Sequence, residues 1–276
     1  MFQWLRKRKR AHFSPAGPAL GPVLQSLPLW AMLPAQDQAE LAQLVPRFLA
    51  RKSIEACGGL VLTQAMCVAI AANACLLLLR RKHDLFPHMG TVLLYPAAYV
   101  AQHTQVHEGG LEEQRQDVLL GESWQRGNVV LSWQDVALDC ANIDDGFNVT
   151  LHEFAHQLDA ENGAMDGAPS LPAGLAKPWA DTMAAEYAAL CARAESEPAP
   201  DSATESAAEC ADSDAADWVL DPYGAEDPAE FFAVATEAFF EDSPGLKDRH
   251  PAVYSLLAQY FNQDPASWPG WSGQAP

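Results

Sequence analysis

The segment Val149-Thr-Leu-His152-Glu153-Phe-Ala-His156-Gln-Leu-Asp159 sets two imidazoles four residues apart, with a carboxylate beside the first. On a helix, residues four apart stand on one face with Cβ atoms about 5–6 Å apart. Both rings can then reach one Zn2+ through bonds of about 2.0–2.1 Å. Glu153 stands roughly 100° around the helix from His152 and need not ligate. It is placed to take a proton from a water that the ion acidifies, which is the chemistry of peptide-bond hydrolysis. The neighbours Phe154, Ala155, Gln157 and Leu158 are uncharged, as expected of a helix buried beside such a site. The bland alternative is a chance pair of histidines on an ordinary amphipathic helix.

A catalytic zinc takes three protein ligands and keeps a fourth position for water. The third ligand must come from elsewhere, and Asp227-Pro-Ala-Glu230-Phe-Phe-Ala-Val-Ala-Thr-Glu237-Ala-Phe-Phe-Glu241 is the place to look. This helix is apolar enough to be buried, so carboxylates on its inner face require partners. Glu230 and Glu237 lie seven apart and share a face. Asp227 with Glu230 three residues on also resembles a capping box. Spacing alone leaves Glu230 and Glu237 nearly tied. Asp159, three residues past His156, is placed to accept the second N–H of a ligating histidine, or equally to hold the turn before Asn162-Gly163; Glu237 has the same first option, or pairs with a base elsewhere. His83, His88, His103 and His107 cluster around a loop; a second metal site is conceivable there, and partly exposed loop or helix residues are the expectation.

Several elements must position these residues. Asn148 caps a helix from Val149 to about Glu161, which Asn162-Gly163 ends. Asp227-Pro228 opens the acidic helix through about Glu241, and Pro251 opens another through Asn262. A helix over Lys177–Ala194 lies between them. Upstream, Ala35–Leu49 has helical periodicity, with Leu41, Leu44, Val45 and Phe48 on one face. Thr63 caps a buried helix from Gln64 that closes on Arg80, Arg81 and Lys82. Thr91–Tyr95 and Val129–Trp133 have strand character, the second entered through Gly127 and Asn128. Because zinc peptidases of this broad type bind substrate as an added strand, Val129–Trp133 is the nominated edge, with an interior strand as the alternative. Phe13–Pro28 is rich in Pro, Gly and Ser and is expected to be irregular.

At 276 residues and 49% hydrophobic composition, the chain can bury a sizeable core. A formal net charge of −19 argues against nucleic acid as a direct partner. The basic run Arg6–Arg10 is expected to be a solvated tail, and no apolar segment or cleavage site of a secretory signal follows it. The six cysteines show no CxxC spacing, and Cys67 and Cys75 sit within an apolar run. They are expected to be buried thiols in a reducing compartment, which makes the cytoplasm the default location. Leu60–Leu79 is interrupted by Thr63, Gln64 and Asn73 and is expected to be a core helix rather than a membrane span. The expected domains are a basic, Pro/Gly-rich tail over 1–28, a helical lobe over 29–86, a catalytic core over 87–265 with an acidic solvated loop at 195–217, and a C-terminal tail over 266–276.

HEFAHQLD and YGAEDPAEFFAVATEAFFED, together with LLLLRR, GESWQRGNVVLSWQDV and VYSLLAQYFNQDP, closely resemble the Mlc titration factor A family of bacterial zinc peptidases, peptidase family M90. The likeness runs from about residue 30 to 265. It implies an α+β, zincin-like core with an N-terminal helical lobe and one zinc ion per chain. In that family the Glu of the DPAE segment is the third ligand, here Glu230, beside His152 and His156. A Tyr seven residues before it lies at the active site, here Tyr223, whose phenol can serve the oxyanion; a buried aromatic is its structural alternative. The resemblance further implies aminopeptidase activity on short peptides and binding to an Mlc-like repressor with effects on sugar uptake. The acidic, Ala-rich stretch between Arg193 and Asp217 is longer than the family norm. The competing reading is a non-catalytic protein that sequesters a repressor and carries a structural metal.

Overall fold

The structure is a computed structural model that describes residues 20–82, 84–97, 127–196 and 219–272, together with the backbone of 104–106 and 112–114. The basic run at Arg6–Arg10, most of the acidic loop, His83, His103, His107 and Cys210 lie outside the described residues. Two compact units divide at Asn142 and Ile143. The architecture is mixed and mostly helical, with one small parallel sheet, consistent with α+β.

The first unit holds that sheet. Strands β1 (Ser53–Ala56), β2 (Thr91–Tyr95) and β5 (Asn128–Ser132) run in parallel in the order β1-β2-β5, with Ser53 opposite Thr91 and Thr91 opposite Asn128. Two short strands, β3 (Thr104–Val106) and β4 (Glu112–Gln114), form a separate antiparallel pair. Parallel neighbours need a long crossover, and the Gln64–Leu76 helix supplies it between β1 and β2. That helix is buried from Cys67 to Leu76, as the apolar run predicts. Thr63 caps it by accepting the Met66 N–H at 3.3 Å. It ends four residues before the basic cluster. Arg80 instead turns back at φ 59° and forks onto the fully buried Asp37 at 2.6 and 2.9 Å. No helix among the described residues is long and apolar enough to cross a membrane.

Two local expectations need revision, and one strand was not foreseen. Leu20–Gln25 is helical rather than irregular, because Pro22 is tolerated in a first turn and Leu24 has a core to enter. Trp133 does not extend β5; Ser132 caps a helix over Trp133–Asp139 by accepting the Asp135 N–H. β1 carried no clear sequence signal, since four residues of mixed polarity are too few to show a period. β5 lies at one end of the strand order. Its entry depends on Gly127, whose φ is +68° and where a Cβ would fall 2.4 Å from the His88 carbonyl oxygen.

The second unit is helical. Its central element, Pro228–Glu241, is buried on nearly every side, as an all-round apolar helix must be. Phe232 packs against Trp179 and Tyr260 at ring-centroid distances of 5.7 and 6.1 Å, and Phe239 stacks on Phe261 at 5.6 Å. Val149–Asp159 packs on the same central helix. Ala176–Ser196, Ser243–Arg249 and Pro251–Phe261 complete the unit, the last closed by Asn262 in the left-handed conformation.

Candidate metal centre

Val149–Asp159 forms where its caps predict. Asn148 accepts the Leu151 N–H at 3.0 Å, and after a 3-10 turn over Ala160–Asn162 the chain leaves through Gly163 at φ 89°. One face of this helix then presents His152 and His156 together, their rings 4.8 Å apart. The Asp227 carboxylate caps the second helix by accepting from Ala229 and Glu230 N–H at 2.8 and 3.0 Å. This places Glu230 in the first turn, facing the two imidazoles.

Three donor atoms converge. His152 Nε2 and His156 Nε2 are 3.2 Å apart, and Glu230 Oε2 lies 3.0 Å from the first and 3.4 Å from the second. A tetrahedral zinc with bonds of about 2.0–2.1 Å requires ligand atoms about 3.3 Å from one another. The three residues therefore fit a zinc ion in spacing and in donor type, and their group can hold a metal ion. A zinc ion held by these three residues would keep a fourth position for water. It is Glu230, rather than Glu237, whose carboxylate meets both Nε2 atoms, which separates two residues that sequence spacing left tied.

Glu237 takes the other side of His152. Its Oε1 lies 2.7 Å from His152 Nδ1, and its Oε2 accepts the Asn148 backbone N–H at 2.7 Å. Asn148 in turn donates its side-chain amide to Glu241 at 2.7 Å. The partnership of Asn148 with Glu241 was not anticipated from sequence. The available signal was that Glu237 and Glu241 stand one turn apart on a helix too apolar to leave either exposed.

The electrostatics follow from this crowding. Burial opposes the charged form of His152, but its hydrogen bonds to Glu230 and Glu237 and the charges of Glu237 and Glu153 outweigh it and raise the imidazole to about 10. Burial likewise opposes the charged form of Glu230, and the two histidines overcome it, holding the carboxyl at about 2. Glu153 is buried at 7% exposure, and its charge reaches His152. The Tyr223 ring lies 6.0 Å from the His152 ring and is 46% exposed, so it borders the site from the solvent side. Its 3-10 turn, Pro222–Ala225, is held by Asp221, which accepts the Tyr223 N–H at 2.7 Å, and by Tyr187, which donates to the Ala225 carbonyl at 3.2 Å.

Asp159 is fully buried and accepts the Gly167 N–H at 2.8 Å, in the loop beyond Asn162-Gly163. His88 is exposed. Among the described residues, the group of His152, His156 and Glu230 is the one cluster of His, Cys, Asp and Glu that can hold an ion.

Residues 2–262 match the model of the glucose-regulated metallo-peptidase M90 family. An uncharacterized protein of Synechocystis sp. is 35% identical over 266 residues, covering 95% of this chain and 90% of its own. Proteins named Mlc titration factor A from Salmonella agona and Klebsiella pneumoniae are each 34% identical, covering 87% of this chain and 84% of theirs. The chain is therefore a member of the M90 metallopeptidase family, and it is similar to proteins named Mlc titration factor A over most of their length.

Proposed function

We propose that the protein is a zinc-dependent peptidase with a zincin-like core, in which His152, His156 and Glu230 hold one zinc ion. The observation that carries this reading is the 3.0–3.4 Å triangle of donor atoms beside a buried glutamate. A zinc ion bound there supplies Lewis-acid polarisation of a scissile carbonyl and lowers the pKa of water.

The chain's own residues supply the rest. Glu153 takes the proton of the attacking water and delivers it to the departing amine, so one carboxylate serves as base and then as acid. Tyr223 offers its phenol O–H to the oxyanion that forms as water adds to the carbonyl. Its position at the exposed rim of the site, rather than in the core, supports this role over a packing role.

The finer reading is aminopeptidase action on short peptides in the cytoplasm. The relatives' name, Mlc titration factor A, and the family's description as glucose-regulated support a second role, binding of an Mlc-like repressor of sugar uptake. Structural zinc sites are usually closed by four protein ligands rich in Cys. The three-ligand set here favours the enzyme over a purely sequestering protein.

Metal content and hydrolysis are read together. The protein is assayed on fluorogenic aminoacyl substrates and internally quenched peptides, with and without chelator, beside Glu153→Gln. Chelator-sensitive release of N-terminal residues, lost in Glu153→Gln with zinc retained, is the expected outcome. Undiminished hydrolysis by Glu153→Gln contradicts the base assignment.

A further inference from the structure

Glu237 does more than neutralise a neighbour. It stands seven residues after Glu230 on the Pro228–Glu241 helix, 9% exposed at its side chain. Its two oxygens go to two different donors, His152 Nδ1 and the backbone N–H of Asn148, each at 2.7 Å. Asn148 is the residue that starts the Val149–Asp159 helix, and Glu241 holds its side-chain amide at 2.7 Å. The cap of the histidine-bearing helix and the first histidine are thus fastened by one carboxylate from the helix that also bears Glu230.

A carboxylate can only accept, so its contact with His152 requires the proton on Nδ1. In the neutral ring that a metal ligand must be, this leaves the Nε2 lone pair directed at the point shared with His156 Nε2 and Glu230 Oε2. The anionic partner also makes the imidazole a better electron donor. We propose that Glu237 is a positioning residue: it selects the Nδ1–H form of His152, fixes the ring plane, and ties that orientation to the helix cap through Asn148. The inference rests on the reading of His152, His156 and Glu230 as the zinc ligands.

Glutamine is the discriminating substitution. It matches glutamate in shape but carries one acceptor oxygen and one NH2 group. Whichever way its amide turns, a donor faces either the His152 Nδ1–H or the Asn148 N–H. Alanine removes both contacts.

Zinc affinity is measured by competition with a chromophoric chelator for wild type, Glu237→Gln and Glu237→Ala, with Glu186→Gln as a matched change at the remote Glu186–His250 pair. Circular dichroism confirms folding. We expect affinity to fall about 10–100-fold in both Glu237 variants, the range for partners of ligating histidines, and to stay within about twofold in Glu186→Gln. A purely structural role would lower the melting temperature without moving the affinity of the folded protein. Unchanged zinc affinity in Glu237→Gln overturns the inference. Failure of wild type itself to bind zinc sinks instead the reading of the three ligands.

Discussion

A Cβ on Gly167 would fall 2.2 Å from the carbonyl oxygen of Pro228. Gly167 adopts φ +75°, gives its N–H to Asp159 at 2.8 Å and accepts the Trp179 indole N–H at 2.9 Å. One glycine therefore joins the end of the histidine-bearing helix to the first turn of the helix that carries Glu230. Gly167→Ala meets both the left-handed backbone and the clash. We expect it to cost at least about 2 kcal/mol in urea denaturation, and to weaken zinc binding because Pro228 must move. An alanine variant as stable as wild type would show that this junction has slack.

Tyr223 borders the site without belonging to the converging donor triangle. Tyr223→Phe keeps the ring and removes the phenol O–H. Hydrolysis should lose about 10²-fold in kcat, the scale of one oxyanion donor, with KM and zinc content little changed. Steady-state kinetics on a fluorogenic substrate reads all but the last, which metal analysis supplies. A change confined to KM would assign Tyr223 to substrate binding instead.

Asp159 gives a pH signature. Burial raises its carboxyl from the ordinary value to about 6, against weaker opposing contributions from the Gly167 N–H and His156. A carboxyl whose folded pKa is raised binds its proton more tightly when folded, so its contribution to stability falls as pH rises from about 4 to about 6. Asp159→Asn removes that dependence. In chelator-treated protein the variant should gain on wild type across this window, by at most about 3 kcal/mol at pH 7. Parallel stability curves from pH 4 to 7 would count against the raised value.

Much of this arrangement was legible in the sequence because it is local. The Asn148 cap, the Gly163 exit and the Asp227-Pro228 start each depend on residues within one helical turn. The same holds for the four-residue spacing of His152 and His156. What could not be read was distance between helices. Glu230 and Glu237 occupy one face of one helix, and only the way that helix packs decides which meets Nε2 and which meets Nδ1. Resemblance to a family resolved this where periodicity did not. The short β1 strand and the Leu20–Gln25 helix escaped for a related reason: each is too brief to show a period and is stabilised by its neighbours.

The central claim is a single ion shared by His152, His156 and Glu230. Crystals grown with zinc and measured on both sides of the zinc absorption edge test it most directly. One anomalous peak should appear about 2.0–2.1 Å from both Nε2 atoms and within about 2.0–2.2 Å of a Glu230 oxygen. A peak elsewhere in the chain, with these three side chains left uncoordinated, would contradict it.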